Sequence, residues 1–143
     1  MYLTNFTCSK VVGITYSDTT DADDTVYAVI TGDATVVEGE TADYTVTLQD
    51  IDGNAVTVTT ATDVVVRFNN GTTGDADTEY SDADTITVTV GVGASTAAIT
   101  AATLDDFLGE DPNENYTLTL VSVVDTGDFE ALAVGGYTDS GST

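Results

Sequence analysis

The chain has 143 residues, the size of one ordinary domain, and 41% hydrophobic content with a mean hydropathy near zero supports a packed core rather than disorder. Of its charged side chains 25 are Asp or Glu and only Lys10 and Arg67 are basic, so the formal charge is −23. Nucleic acid is excluded as a partner because phosphate binding needs a basic footprint, and membrane insertion is not expected without a run of about 20 apolar residues. With no His and a single Cys, Cys8, the chain cannot build Ser-His-Asp or Cys-His catalysis, a zinc site of His and Cys ligands, or an internal disulfide.

The first residues, MYLTNFTCSK, lack the basic region and apolar run of a signal peptide. That leaves a cytoplasmic chain, a fragment of a longer one, or export by another route. Residues 1–25 read as an N-terminal extension or added strand followed by an acidic linker: Lys10, the apolar stretch Val11 to Ile14, then Asp18 to Asp24. The body of the domain is expected over 26–143.

Thr and Val dominate that body, and β-branched side chains favour strands. Period-two alternation places Tyr44, Val46 and Leu48 on one face of a strand over Ala42 to Leu48, with Thr45 and Thr47 on the other. Thr85 to Val90, with Ile86, Val88 and Val90 inward, and Tyr116 to Leu120, with Tyr116, Leu118 and Leu120 inward, repeat the pattern. Tyr27 to Thr31, Ala55 to Thr60, Asp63 to Phe68 and Thr96 to Leu104 complete the set. Asp52-Gly53 and Asn70-Gly71 are pairs that tolerate positive φ and close β-connections. The fold class is therefore all-β: an immunoglobulin-like antiparallel β-sandwich of about seven strands. No repeat is visible at a period of 20 to 50 residues, although the domain can itself be one unit of an array.

So many acids against two bases repel one another in a compact fold unless cations bind or ionic strength is high. The acids fall in loops or linker: Asp21, Asp23 and Asp24; Glu38 and Glu40; Asp75 to Asp84; Asp105, Asp106, Glu110, Asp111 and Glu114. Ca2+ takes six to eight oxygens at about 2.3–2.6 Å, which loops converging at one end of a sandwich can supply. A solvated acidic surface in a halophilic or marine protein is the alternative. An EF-hand loop is ruled out, because Asp75-Ala76-Asp77-Thr78-Glu79 is followed by Tyr80 where Gly is required, and the glycine-rich nonapeptide of a calcium β-roll is absent. Paired carboxylates could hydrolyse glycosides, but without Trp there is no aromatic platform for a sugar. No enzyme activity is expected.

A resemblance enters at the acids. Glu38-Gly39 before a strand, Glu79-Tyr80, and Asp105-Asp106 with Glu110 and Glu114 leading into YTLTL resemble the Calx-beta pattern. The longer run ITGDATVVEGETADYTVTLQDIDGNAVTV and the later DFEALAVGG resemble the immunoglobulin-like extender repeats of giant bacterial repeats-in-toxin (RTX) adhesins, over about Val26 to Gly136. The resemblance implies repeats stacked end to end, stiffened by calcium at their linkers, in a secreted adhesin that carries a binding module away from the cell surface, as in biofilm attachment. It implies Glu38, Asp105, Asp106 and Glu110 as calcium ligands, with Asp21, Asp23 and Asp24 as a second group. Glu79 stands where Calx-beta domains usually have Asp. The usual closing strand and acidic linker do not follow GGYTDSGST, which, with the surplus N-terminal segment, suggests a second reading: an extracellular filament subunit completed by strand exchange with a neighbour. Either way the expected partners are neighbouring copies of similar domains.

Overall fold

The computed structural model describes residues 25–71, 77–105, 115–124, 126–135 and 139–142, the last segment by its backbone. Among the described residues eight strands form: β1 (Thr25–Gly32), β2 (Thr41–Gln49), β3 (Thr62–Asn69), β4 (Thr85–Val90), β5 (Thr96–Ala102), β6 (Asn115–Val123), β7 (Ala131–Val134) and β8 (Asp139–Ser142). They make two four-stranded sheets, β5-β2-β1-β7 and β4-β3-β6-β8. No helix forms among the described residues, as the β-branched composition implies.

The alternation read from the sequence sets the facing. Tyr44, Val46 and Leu48 of one sheet are buried against Leu118, Leu120, Val64, Val66 and Phe68 of the other, while Thr45 points outward. Ile86 and Val88 pack against this core half-buried, because β4 is an edge strand, and Val90 is fully buried. Gly53 and Gly71 both take positive φ, 87° and 65°, as the turn pairs required.

The structure corrects the reading in three places. Ala55 to Thr60 forms no strand: Ala55 makes an isolated bridge to Gln49, and the Val56 and Val58 amides donate to Leu48 and Ala94 carbonyls, so the segment follows no single partner. The sequence pattern assigns no strand to β7 or β8, yet β8 lies within GGYTDSGST and pairs with β6 from Asn115↔Ser142 to Leu118↔Asp139. The sandwich is also not wholly antiparallel, since β7 runs parallel to β1, from Thr25↔Ala131 to Ala28↔Val134.

Strand direction defines two poles. Gly32, Thr41 and Ala102 lie at one end of the first sheet, and Asn69, Thr85, Asn115 and Ser142 at one end of the second. The segment 77–84 joins those two ends: the Glu79 amide donates to Ala102 O and the Ala83 amide to Phe68 O. Thr25, Gln49, Thr62, Thr96 and Val123 mark the opposite pole.

Candidate metal pole

The loops that carry most of the acids emerge at one pole. Thr103, buried at 4% exposure, is its hub: its amide donates to Glu40 O at 2.9 Å, and its hydroxyl donates to Val37 O and Glu40 O at 3.0 Å. The 37–40 turn closes through Glu40 N to Val37 O, with Gly39 at φ +83°. Only glycine takes that conformation without strain, and a Cβ there would stand 3.4 Å from the Cβ of Asp105. From the third segment, Thr78 bridges Thr103, and the Leu104 amide donates to Asp77 O at 2.8 Å.

Glu38, Glu79 and Asp105 thus come from three segments knitted at one pole, and all three are exposed. One oxygen of Glu79 accepts the Ala102 amide at 2.8 Å, which fixes that side chain against the end of β5. Asp106 and Glu110 lie outside the described residues. Their segment leaves from Asp105 and returns at Asn115, and both flanks are at this pole. Asp21, Asp23 and Asp24 also lie outside the described residues, and in the chain they precede Thr25 at the other pole. Among the described residues no three acidic, His or Cys side chains stand close enough to hold a metal ion.

Beneath the acids lies an aromatic floor. Phe68 stacks on Tyr116 with centroids 5.1 Å apart and meets Tyr80 at 5.7 Å, and Tyr44 packs edge-on against Tyr116 at 6.5 Å. Burial pushes the Tyr116 phenol above its ordinary pKa; the hydroxyl of Tyr44 works against that rise, and the charge of Asp33 adds to it. The Tyr80 phenol is raised too, by desolvation and by neighbouring Glu79.

The sequence reading missed two residues that organise the poles. Thr103 resembles any other strand Thr until its two carbonyl acceptors are seen. Asp128 clamps the opposite pole, accepting from the Thr59 amide at 2.7 Å, the Thr59 hydroxyl at 2.8 Å and the Thr60 amide at 2.6 Å. The bonds from Thr59 and Thr60 hold its carboxyl below the usual carboxylate range.

No protein-family model and no curated protein matches the chain. Among solved structures it is similar to the crystal structure of the apo-form Calx CBD1 domain, with a TM-score of 0.62 and 13% identity over 82% of this chain and 94% of that one. The fold is a Calx-beta-like β-sandwich. At that identity the likeness speaks for architecture, the part of the sequence resemblance that strand order and packing can bear out.

Proposed function

We propose that the chain is a non-catalytic, calcium-stabilised structural module, an extender repeat of a secreted bacterial cell-surface adhesin of the RTX type. The observation that carries this reading is the convergence of the segments bearing Glu38, Glu79 and Asp105 on one pole through Thr103. With Asp106 and Glu110 tethered between two flanks at the same pole, loop oxygens come from separate parts of the chain, the arrangement calcium's high coordination number demands. Bound cations would offset the mutual repulsion of a −23 chain and cross-link the three segments. The entry of the chain at Thr25 and the end of β8 at opposite poles suits a spacer extended end to end.

Calorimetric titration with calcium tests the proposal. The wild type should give saturable heat, and a variant combining Glu38→Gln with Asp105→Asn should bind at least about tenfold more weakly, a change of about 1.4 kcal/mol. A wild type with no saturable calcium heat contradicts the reading.

A second reading, a filament subunit completed by strand exchange, is favoured by one feature. Among the described residues β8 pairs with Asn115 to Leu118, part of the nine-residue β6, and Val121 and Val134 are exposed at 48% and 38%. Size-exclusion chromatography separates the two, since the spacer is monomeric and the subunit polymerises.

A further inference from the structure

The acids are spread unevenly over the sandwich. From Thr85 to Leu104 the chain carries no Asp, Glu, Lys or Arg, although it holds 25 acids in all. That stretch contains β4 and β5, the edge strands that border one flank, while β7 and β8 border the other. Edge strands are ordinarily guarded against further pairing by charged side chains, Pro or bulges. β4 has none of these, and its pairing with β3 runs without a register shift.

Hydrogen-bond parity fixes what the free edge of β4 offers. The Phe68 amide donates to Asp84 O at 2.9 Å, and in steps of two along that ladder Ile86, Val88 and Val90 exchange backbone bonds with Val66, Val64 and Thr62 of β3. Thr85, Thr87 and Thr89 therefore point their backbone groups away from β3, and among the described residues those groups meet no partner. On the same flank β5 is plugged at one end. The Tyr80 hydroxyl donates to Thr100 O at 3.3 Å, the Glu79 amide donates to Ala102 O at 3.0 Å, and the Ala102 amide donates to the Glu79 carboxylate at 2.8 Å. On the other flank β8 opens with Asp139, and β7 has only four residues.

The side chains of β4 define what fits beside it. Ile86 and Val88 turn toward the core yet stay half-buried at the edge, while Thr85, Thr87 and Thr89 face solvent. Carboxylates stand at both ends: exposed Asp84 precedes Thr85, and Asp63 lies opposite Thr89 and accepts its hydroxyl. A strand laid along β4 would cover Ile86 and Val88 with apolar side chains and turn basic ones to the face that carries Asp63. A second copy of this chain does not fit, because it brings its own charge of −23 and only two basic residues to place.

We propose that β4 is a docking edge for an extended basic segment of a different protein, which alternates apolar residues with Lys or Arg and adds a strand to the β4-β3-β6-β8 sheet. Main-chain bonds to Thr85, Thr87 and Thr89 hold the segment, and its alternation and charge select it. In the antiparallel register its basic residues lie opposite the three Thr, and its apolar residues lie opposite Ile86 and Val88. This goes beyond the spacer reading and depends neither on calcium nor on pairing between copies.

The test uses the whole chain and synthetic peptides of six residues, the length of β4. The probe is acetyl-Lys-Val-Lys-Val-Lys-Val-amide. One control has Glu in place of Lys, and another is the probe N-methylated at its lysine backbone amides, which keeps the charge and removes the donors aimed at β4. At saturating probe the Thr85, Thr87 and Thr89 amides should exchange hydrogen at least about tenfold more slowly, read by nuclear magnetic resonance. Thr87→Pro removes an outward N–H and leaves the ladder to β3 intact, so it should weaken probe binding at least about tenfold. Neither control should protect the three amides. If the N-methylated peptide binds as tightly as the probe, charge alone accounts for binding and the proposal is overturned, whether or not Thr87→Pro folds. Equal protection by the Glu peptide, protection confined to β5 or β7, or no protection at millimolar probe overturns it as well. A free chain that dimerises through these amides assigns the edge to a second copy, and the proposal fails.

Discussion

The hydroxyls of Tyr44 on β2 and Tyr116 on β6 meet 2.8 Å apart between the two sheets, with both side chains almost wholly buried. The Tyr44 hydroxyl donates to that of Tyr116 in a place water does not reach, and the pair ties the two sheets together beneath the acidic pole. Tyr116→Phe should destabilise by about 1–3 kcal/mol, because it leaves a buried hydroxyl on Tyr44 without this partner. Adding Tyr44→Phe should cost much less than a second independent loss. Additive effects in chemical denaturation of the four chains would show the two hydroxyls to be uncoupled.

Tyr116 also sets an alkaline limit. Its folded pKa is raised, so the neutral phenol is favoured in the folded state. That contribution is fully present below the unfolded value near 10 and is lost as pH rises through the folded pKa. Denaturation midpoints should fall above about pH 10 in the wild type and fall less steeply in Tyr116→Phe.

Leu118 is fully buried on β6, while the neighbouring Thr119 faces the other side half-buried, its hydroxyl accepting from Asn69 at 3.1 Å. Leu118→Ala should cost about 2–5 kcal/mol and Thr119→Ala less than about 1 kcal/mol. Urea midpoints check this, and equal losses would contradict the facing assigned to β6.

At the opposite pole the clamp through Asp128 is strongest when the carboxyl is ionised. Its folded pKa is lowered, so the stabilisation is present above the unfolded value of about 3.8 and is lost as pH falls through the folded one. Asp128→Ala should lower the melting temperature at pH 7 and change it little at pH 2. An equal drop at both values would mean that the residue acts through packing instead.

The core was legible because period-two alternation survives any strand order: Tyr44, Val46 and Leu48 had to share a face whichever neighbour β2 found. The same rule misled at Val56 and Val58, which turn inward from an irregular segment bonded to the end of β2 at Leu48 and to the turn between β4 and β5 at Gly93 and Ala94. β7 and β8 were illegible for the opposite reason. ALAV is too short to show a period and DSGS has no apolar residue, and both are placed by backbone pairing with β1 and β6. That Glu38, Glu40, Asp77 to Asp84 and Asp105 sit between strands could be read directly, while Asp43, Asp63 and Asp139 fall within them. Which loops share a pole depends on strand direction and on Thr103, whose hydroxyl and amide join the segments of Glu38 and Asp105, a relationship spanning more than sixty residues of sequence.

The central claim, that the acidic pole binds calcium specifically, is tested most directly by thermal melting with calcium or sodium at matched ionic strength. A ligand that binds only the folded state stabilises it by about 2.7 kcal/mol at a hundredfold excess over Kd, whereas simple screening treats ions of equal ionic strength alike. The wild type should melt several degrees higher in millimolar calcium than in matched sodium, and the chain combining Asp105→Asn with Asp106→Asn should lose most of that difference. If calcium raises the wild-type melting temperature no more than sodium does, the acids are a solvated surface and the claim is wrong.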